Sequence, residues 1–145
     1  MVELIELGVD LEKYGTLIEK RRDQSLTIKF DWDHQGAAIT FDAEISIGHK
    51  GFTLDTFGKV FAQDGPGPIR VNGLSCPQSD TKKGYTHQLT AALSTYYGAG
   101  ESIGDGAVRV VFKIPGQADK AGYLWNAFKI SPLVAALTIT NIRVS

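Results

Sequence analysis

The feature that most limits the fold of this chain is a short alternation of apolar and polar residues, which recurs and ends at turn residues. The clearest alternations run from Leu26 to Trp32, from Ile39 to Ile47 before Gly48, and from Val108 to Ile114 before Pro115. Because successive side chains of a strand point to opposite faces, each segment predicts a strand with one buried face. Four further strands are predicted: Phe52 to Phe61, Ile69 to Leu74, Leu124 to Ile130 and Leu137 to Val144. Short strands this frequent predict an all-β fold, an antiparallel β-sandwich, with Phe30, Phe41, Phe112 and Trp32 in its core.

Size and charge narrow the class of protein. The 145 residues, of which 43% are hydrophobic and 21% charged, suit one domain with its own core, so residues 1–145 are predicted to be a single sandwich. A formal charge of −1 lacks the broad basic surface of a nucleic-acid-binding protein. No apolar run is long enough for a membrane helix, and the acidic start of the chain is unlike a signal peptide. We therefore expect no nucleic acid partner, no membrane insertion and no targeting signal in this chain.

Two segments allow two interpretations each. Within residues 1–22, Leu4, Leu7, Leu11, Tyr14 and Ile18 have the spacing of a short coiled-coil seam, which would make this an oligomerisation segment. Gly8 and Gly15 oppose a helix and favour instead a strand, a turn at Gly15 and another strand. The segment from His87 to Tyr97 fits a helix or a strand, and its run of Thr95, Tyr96 and Tyr97 favours the strand slightly.

Residues that carry chemistry are scattered. His34, His49 and His87 lie in three separate stretches without zinc spacing, and no Gly-x-Ser-x-Gly turn supports a serine hydrolase. The single cysteine, Cys76, is read as a small loop side chain. The pairs Asp31 with Asp33 and Asp42 with Glu44 are read as solvated strand faces rather than a calcium site or an acid–base pair. Neither Gly98-Ala99-Gly100 nor Gly104-Asp105-Gly106 matches a phosphate loop. We thus predict no catalytic residue, no metal and no cofactor.

The aromatic residues near the end of the chain are more informative. From Tyr123 to Ile130, alternation places Leu124, Phe128 and Ile130 on the apolar face, while Tyr123 and Trp125 point the other way. An outward Tyr–Trp pair is a candidate sugar platform, because the apolar face of a sugar ring stacks on aromatic rings. The alternative is that a loop or a neighbouring subunit covers Trp125. The predicted ligand-binding residues all lie on polar strand faces: Tyr123, Trp125, Asp42, Glu44 and Arg109.

Two segments carry a resemblance to a known class of domain. The alternation from Leu137 to Val144, with Asn141 as its polar step, resembles the last strand of jelly-roll carbohydrate-binding modules and galactose-binding-like domains. Residues from Ile39 to Ile45 are similar to their early core strand. The same module type resembles accessory domains of phage tail and baseplate proteins that bind host-surface sugars.

That resemblance implies a jelly roll, a carbohydrate ligand and an extracellular or virion-associated setting for a non-catalytic recognition module. The runner-up is a structural or oligomerisation domain of a virion appendage or another assembly, a homo-oligomer with the aromatics buried between subunits. A hydrolase is the third hypothesis.

Overall fold

The protein folds as a two-sheet β-sandwich, and the computed structural model describes residues 2–4, 11–32, 39–76, 85–131 and 143. Ten strands are described: β1 Val2–Leu4, β2 Leu11–Tyr14, β3 Ile18–Arg21, β4 Ser25–Trp32, β5 Ile39–Lys50, β6 Phe61–Gln63, β7 Ile69–Cys76, β8 Tyr85–Ala92, β9 Ile103–Lys113 and β10 Lys120–Ser131. A small sheet has the order β1-β4-β8. A large sheet has the order β2-β10-β9-β5-β6, with β3 also pairing with β10 and β7 with β5. The predicted all-β sandwich is confirmed, whereas its jelly-roll connectivity stays a prediction.

The core lies between the two sheets and follows from the alternating faces. In β4 every second residue is buried, as the sequence pattern requires. In β5 the alternation holds from Phe41 to Ile45, after which both faces are buried as far as Gly48. The predicted core positions are confirmed: Phe30, Phe41, Phe112 and Trp32 all belong to one buried cluster. Their rings pack edge to face or tilted, the geometry that aromatic pairs favour over a flat sandwich.

Three pairings depart from a purely antiparallel arrangement. β1 runs parallel to β4, and both β2 and β3 run parallel to β10. Between β2 and β3 the chain keeps its direction through residues 15–17, so the two strands predicted on either side of Gly15 are present but the predicted turn between them is wrong. Because β2 and β3 lie along the same strand, the N-terminal segment forms one edge of the large sheet.

Other boundaries differ from prediction. The segment from His87 to Tyr97 is a strand only to Ala92, followed by a 3-10 turn over Leu93–Thr95. Gly48 does not end β5, which continues to Lys50. A side chain at Gly48 would collide with the Ala62 carbonyl oxygen, so the glycine permits close approach of β6 rather than a break.

The predicted strand from Phe52 to Phe61 is wrong, since residues 51–60 form a loop and only Phe61 begins a strand. The cause is Asp55, whose carboxylate accepts hydrogen bonds from the backbone N–H groups of Phe57 and Lys59 at 2.9 and 3.0 Å. An aspartate that binds its own backbone competes with strand pairing. We call residues 51–60 the covering loop.

Several sequence expectations fall outside the described residues. These are the strand from Leu137 to Val144, apart from the backbone of Arg143, and the side chains of Asp33, His34, Cys76 and Tyr85. Among the described residues there is no helix long and apolar enough to cross a membrane.

Candidate binding site

The five predicted ligand-binding residues share one surface, which we call the outer face: the side of the large sheet that points away from the small sheet. Strands β5, β9 and β10 are neighbours, so the condition on which the prediction depended is met. Arg109 lies beside both Tyr123 and Ser46 in the registers of these strands. Glu44 and Asp42 follow farther along β5, toward Lys113.

Tyr123 and Trp125 point to the outer face but are not exposed. Their rings stack on each other at 5.3 Å with an interplanar angle of 4°. Only 1% of Tyr123 and 5% of Trp125 is accessible, because Phe57, Val60 and Phe61 pack over them in a second apolar cluster. Of the two interpretations open from the sequence, cover by a loop is the one that the structure shows.

The covering loop is held down by Asp55. Its carboxylate accepts hydrogen bonds from the Tyr123 hydroxyl at 2.5 Å and from Arg109 Nη1 at 3.0 Å. Burial by itself would raise the pKa of Asp55, but bonds from Tyr123, from two backbone N–H groups and from Arg109 outweigh it and lower that pKa. Arg109 also lies over the Phe61 ring at 4.8 Å. Tyr123 and Arg109 therefore anchor the loop, a role that residue type alone did not indicate.

Asp42 and Glu44 are also engaged within the protein. Arg70 binds Asp42 at 2.9 Å and Glu44 at 3.2 Å, and the Gly73 N–H donates to Asp42 at 3.1 Å. The Gly73 hydrogen bond and then the Arg70 hydrogen bond lower the pKa of Asp42. These contacts hold β7 against β5. The pair lies toward the opposite end of β5 from Lys50.

A cleft of about 300 Å³ opens where the covering loop meets the ends of the sheet strands. We call it the rim cleft. It is lined by Glu12, Tyr14, Lys50, Leu54, Gly58, Lys59, Val60, Asp105, Trp125 and Asn126. Of the five predicted residues, only Trp125 reaches it.

The rim cleft combines one accessible aromatic ring with several polar groups. Tyr14 is 71% exposed and lies opposite Trp125 in the β2–β10 register. Glu12 accepts a hydrogen bond from Trp125 Nε1 at 2.9 Å through one oxygen and pairs with Lys59 at 3.3 Å through the other. Trp125 is thus oriented by Glu12, while Tyr14 presents the accessible ring.

Irregular backbone lies beside the cleft. In β10 the register shifts between Leu124 and Phe128, and within that bulge Asn126 adopts a φ of 50°. The neighbouring Leu17 also has a positive φ, 52°, and its N–H donates to the Asn126 carbonyl at 2.8 Å. At this bulge β10 exchanges β2 for β3 as its partner. Bulges and left-handed residues that are not glycine are enriched next to binding and catalytic sites.

The two described histidines, His49 and His87, are each engaged by neighbouring side chains. His49 Nδ1 lies 2.9 Å from Asp64, which also accepts a hydrogen bond from the Tyr97 hydroxyl at 2.7 Å. Burial, followed by Asp64, raises the pKa of Tyr97 above its ordinary value. Ser46 instead bonds Gln63 at 2.9 Å, and no described serine contacts His49. His87 packs against Phe30. No three described His, Cys, Asp or Glu side chains gather as a metal site would require.

Most residues of the rim cleft were missed from the sequence. In the sequence, Tyr14 fits the spacing of a helix seam and Asp105 lies in a glycine-rich segment, and neither pattern indicates a binding site. Asn126 is a polar residue on the apolar face of the alternation from Tyr123 to Ile130, and this is a local signal in the sequence. Their proximity arises from long-range pairing, so no spacing in the chain predicts it.

Comparison with known proteins adds no identification, since the chain matches no protein-family model, no curated protein and no solved structure.

Proposed function

We propose that this protein is a non-catalytic recognition module that binds carbohydrate in the rim cleft. The observation that supports it best is the composition of the cleft: an exposed tyrosine ring beside charged and amide side chains. Its volume is at the lower end of the range typical of small-molecule sites, about 300–1,000 Å³. A sugar needs both parts, since its C–H face stacks on a ring while its hydroxyls bond polar groups.

The platform of this proposal differs from the one that the sequence indicated. Trp125 contributes an edge that Glu12 already engages, and Tyr123 is sealed below the covering loop. Tyr14 is the aromatic residue of the cleft with an accessible ring. We therefore assign the stacking contact with the ligand to Tyr14 rather than to the buried Tyr123–Trp125 pair. Trp125 forms part of the wall of the rim cleft.

A glycan array followed by calorimetry on the bound glycans tests the proposal. We expect Tyr14→Ala to weaken binding by up to about tenfold, the value of one lost aromatic contact. Phe52→Ala is the matched control, because Phe52 is an exposed aromatic residue that does not line the cleft. Absence of any bound glycan, or equal effects of the two variants, would contradict the proposal.

A second candidate, an assembly domain, is favoured by one observation. Tyr14, Phe52 and Leu54 are large apolar side chains that are mostly exposed, at 71%, 104% and 68%. Tyr14 and Leu54 both line the rim cleft, and exposed apolar residues that lie together usually mark a contact surface. Light scattering after size-exclusion chromatography separates the candidates: a lone module has the mass of one chain, 15.7 kDa, whereas an assembly that depends on these residues is larger and dissociates in Leu54→Ser.

A further inference from the structure

Two charged side chains in the rim cleft have no partner among the described residues. Lys50 ends β5 and Asp105 lies near the start of β9. Because His49 pairs with Gly106 in the antiparallel register, Lys50 and Asp105 come next to each other at the following step. Both are exposed and both line the cleft. In the described part of the chain, neither side chain makes an ion pair or hydrogen bond.

The other two charges in the cleft are already satisfied. Glu12 uses one oxygen for Trp125 and the other for Lys59, so this carboxylate and this ammonium neutralise each other. What remains for a ligand is one cation and one anion on adjacent strands. The four charged side chains sum to zero, and the cleft has no excess of either sign.

We infer that the rim cleft recognises an uncharged sugar through a pair of adjacent hydroxyl groups, an inference that depends on the proposed function. A hydroxyl both donates and accepts, so neighbouring hydroxyls can donate to Asp105 and accept from Lys50 at the same time. The Asn126 amide, also in the cleft, offers a further donor and acceptor. Tyr14 then stacks on the ring.

The same arrangement disfavours an acidic sugar. A carboxylate, sulfate or phosphate on the ligand would gain attraction from Lys50 but suffer repulsion from Asp105 on the adjacent strand. Lys59 offers little compensation, because Glu12 already occupies it at 3.3 Å. Net attraction of an anion requires an excess of cations, which these four side chains do not supply.

The test compares matched sugars that differ only in charge. Glycans ending in galactose or glucose are measured by calorimetry against the same glycans ending in galacturonic or glucuronic acid. We expect at least one neutral member to bind about tenfold or more tightly than its acid, the value of one lost hydrogen bond to a charged group. Neutral binding should also change little between about 0.05 M and about 0.5 M NaCl, because no ligand charge is screened.

A second experiment replaces the carboxylate of Asp105. Asp105→Asn keeps the shape but weakens the acceptor, so it should lower affinity for the neutral glycan and reduce discrimination against the acid. Asp23→Asn is the control, because Asp23 is an exposed carboxylate that pairs with Arg21 away from the cleft. If acidic glycans bind as tightly as neutral ones, or if both variants behave alike, the inference is wrong while carbohydrate binding stands. If no glycan binds at all, the proposed function fails with it.

Discussion

Each face of the large sheet carries a buried cluster, but the two clusters are covered in different ways. The inner face packs apolar side chains of β5, β9 and β10 against those of the small sheet, and one continuous cluster results. In the part of the chain that the structure describes, the outer face carries a smaller cluster that includes Tyr123, Trp125 and Phe61, and the covering loop packs over it. On that side the cover depends on a buried carboxylate, Asp55, and on its bonds to Tyr123 and Arg109.

This difference shows why one strand pattern leads to two kinds of surface. An apolar face needs only a second sheet to exclude water, so its burial follows from alternation. A face with Arg109, Ser46 and Tyr123 carries polar atoms that must find partners when buried. Asp55 of the covering loop binds Tyr123 and Arg109, whereas Gln63 of β6 binds Ser46. The rim cleft opens where the loop meets the strand ends.

The largest expected effect lies on the inner face. Phe112→Ala removes a ring that packs against Phe41 at 4.9 Å and Phe30 at 5.8 Å, so we expect the free energy of unfolding to fall by about 3–5 kcal/mol. Urea denaturation followed by tryptophan fluorescence measures it. A loss below about 1 kcal/mol would mean that the inner face tolerates a cavity, contrary to close packing.

A smaller effect is expected on the outer face. Asp55→Asn keeps the volume but removes the charge that Tyr123 and Arg109 share, so we expect a loss of about 1–3 kcal/mol. The same denaturation experiment applies, with Asp23→Asn as an exposed control that should leave stability unchanged. If Asp55→Asn lowers the free energy of unfolding as much as Phe112→Ala does, the covering loop stabilises the fold as strongly as the small sheet does.

The charge of Asp55 also makes the stability that it contributes on the outer face depend on pH. Because its pKa is lowered in the folded protein, its stabilising contribution is complete above the unfolded value of about 3.9 and is lost as pH falls through the folded value. Unfolding free energies measured from neutral to acidic pH should therefore decline in this range. The decline should be shallower in Asp55→Asn, and parallel curves for the two proteins would assign the acid sensitivity to other carboxylates.

The smallest effect is expected on the solvent side of the covering loop. Phe52 is fully exposed, so Phe52→Ala should change the unfolding free energy by no more than about 0.5 kcal/mol. Phe57 lies on the side of the loop that packs on the outer cluster. Phe57→Ala should therefore lower the free energy of unfolding clearly more than Phe52→Ala does. Equal values would mean that the two sides of the loop are not distinguished by burial.

The sequence predicts the inner face well and the outer face poorly. Phe30, Phe41 and Trp32 are recognisable as core because each sits in an alternation that only a half-buried strand explains. The covering loop is not recognisable, because Phe52, Leu54 and Phe61 resemble a strand until the backbone bonds of Asp55 are known. Tyr14, Lys50 and Asp105 come from distant parts of the chain, and only the pairing of β2, β5, β9 and β10 brings them together.

The parallel pairing of β2 and β3 with β10 has a consequence for biosynthesis. β2 and β3 lie beside β10, the last strand that the structure describes, so they leave the ribosome long before their partner exists. Contacts between residues so far apart in sequence form slowly, and unpaired edges invite association with other chains. We expect this domain to acquire its large sheet only after β10 has emerged from the exit tunnel. Ribosome-stalled chains that end before Lys120 should accordingly be digested by protease, whereas released full-length chains should resist.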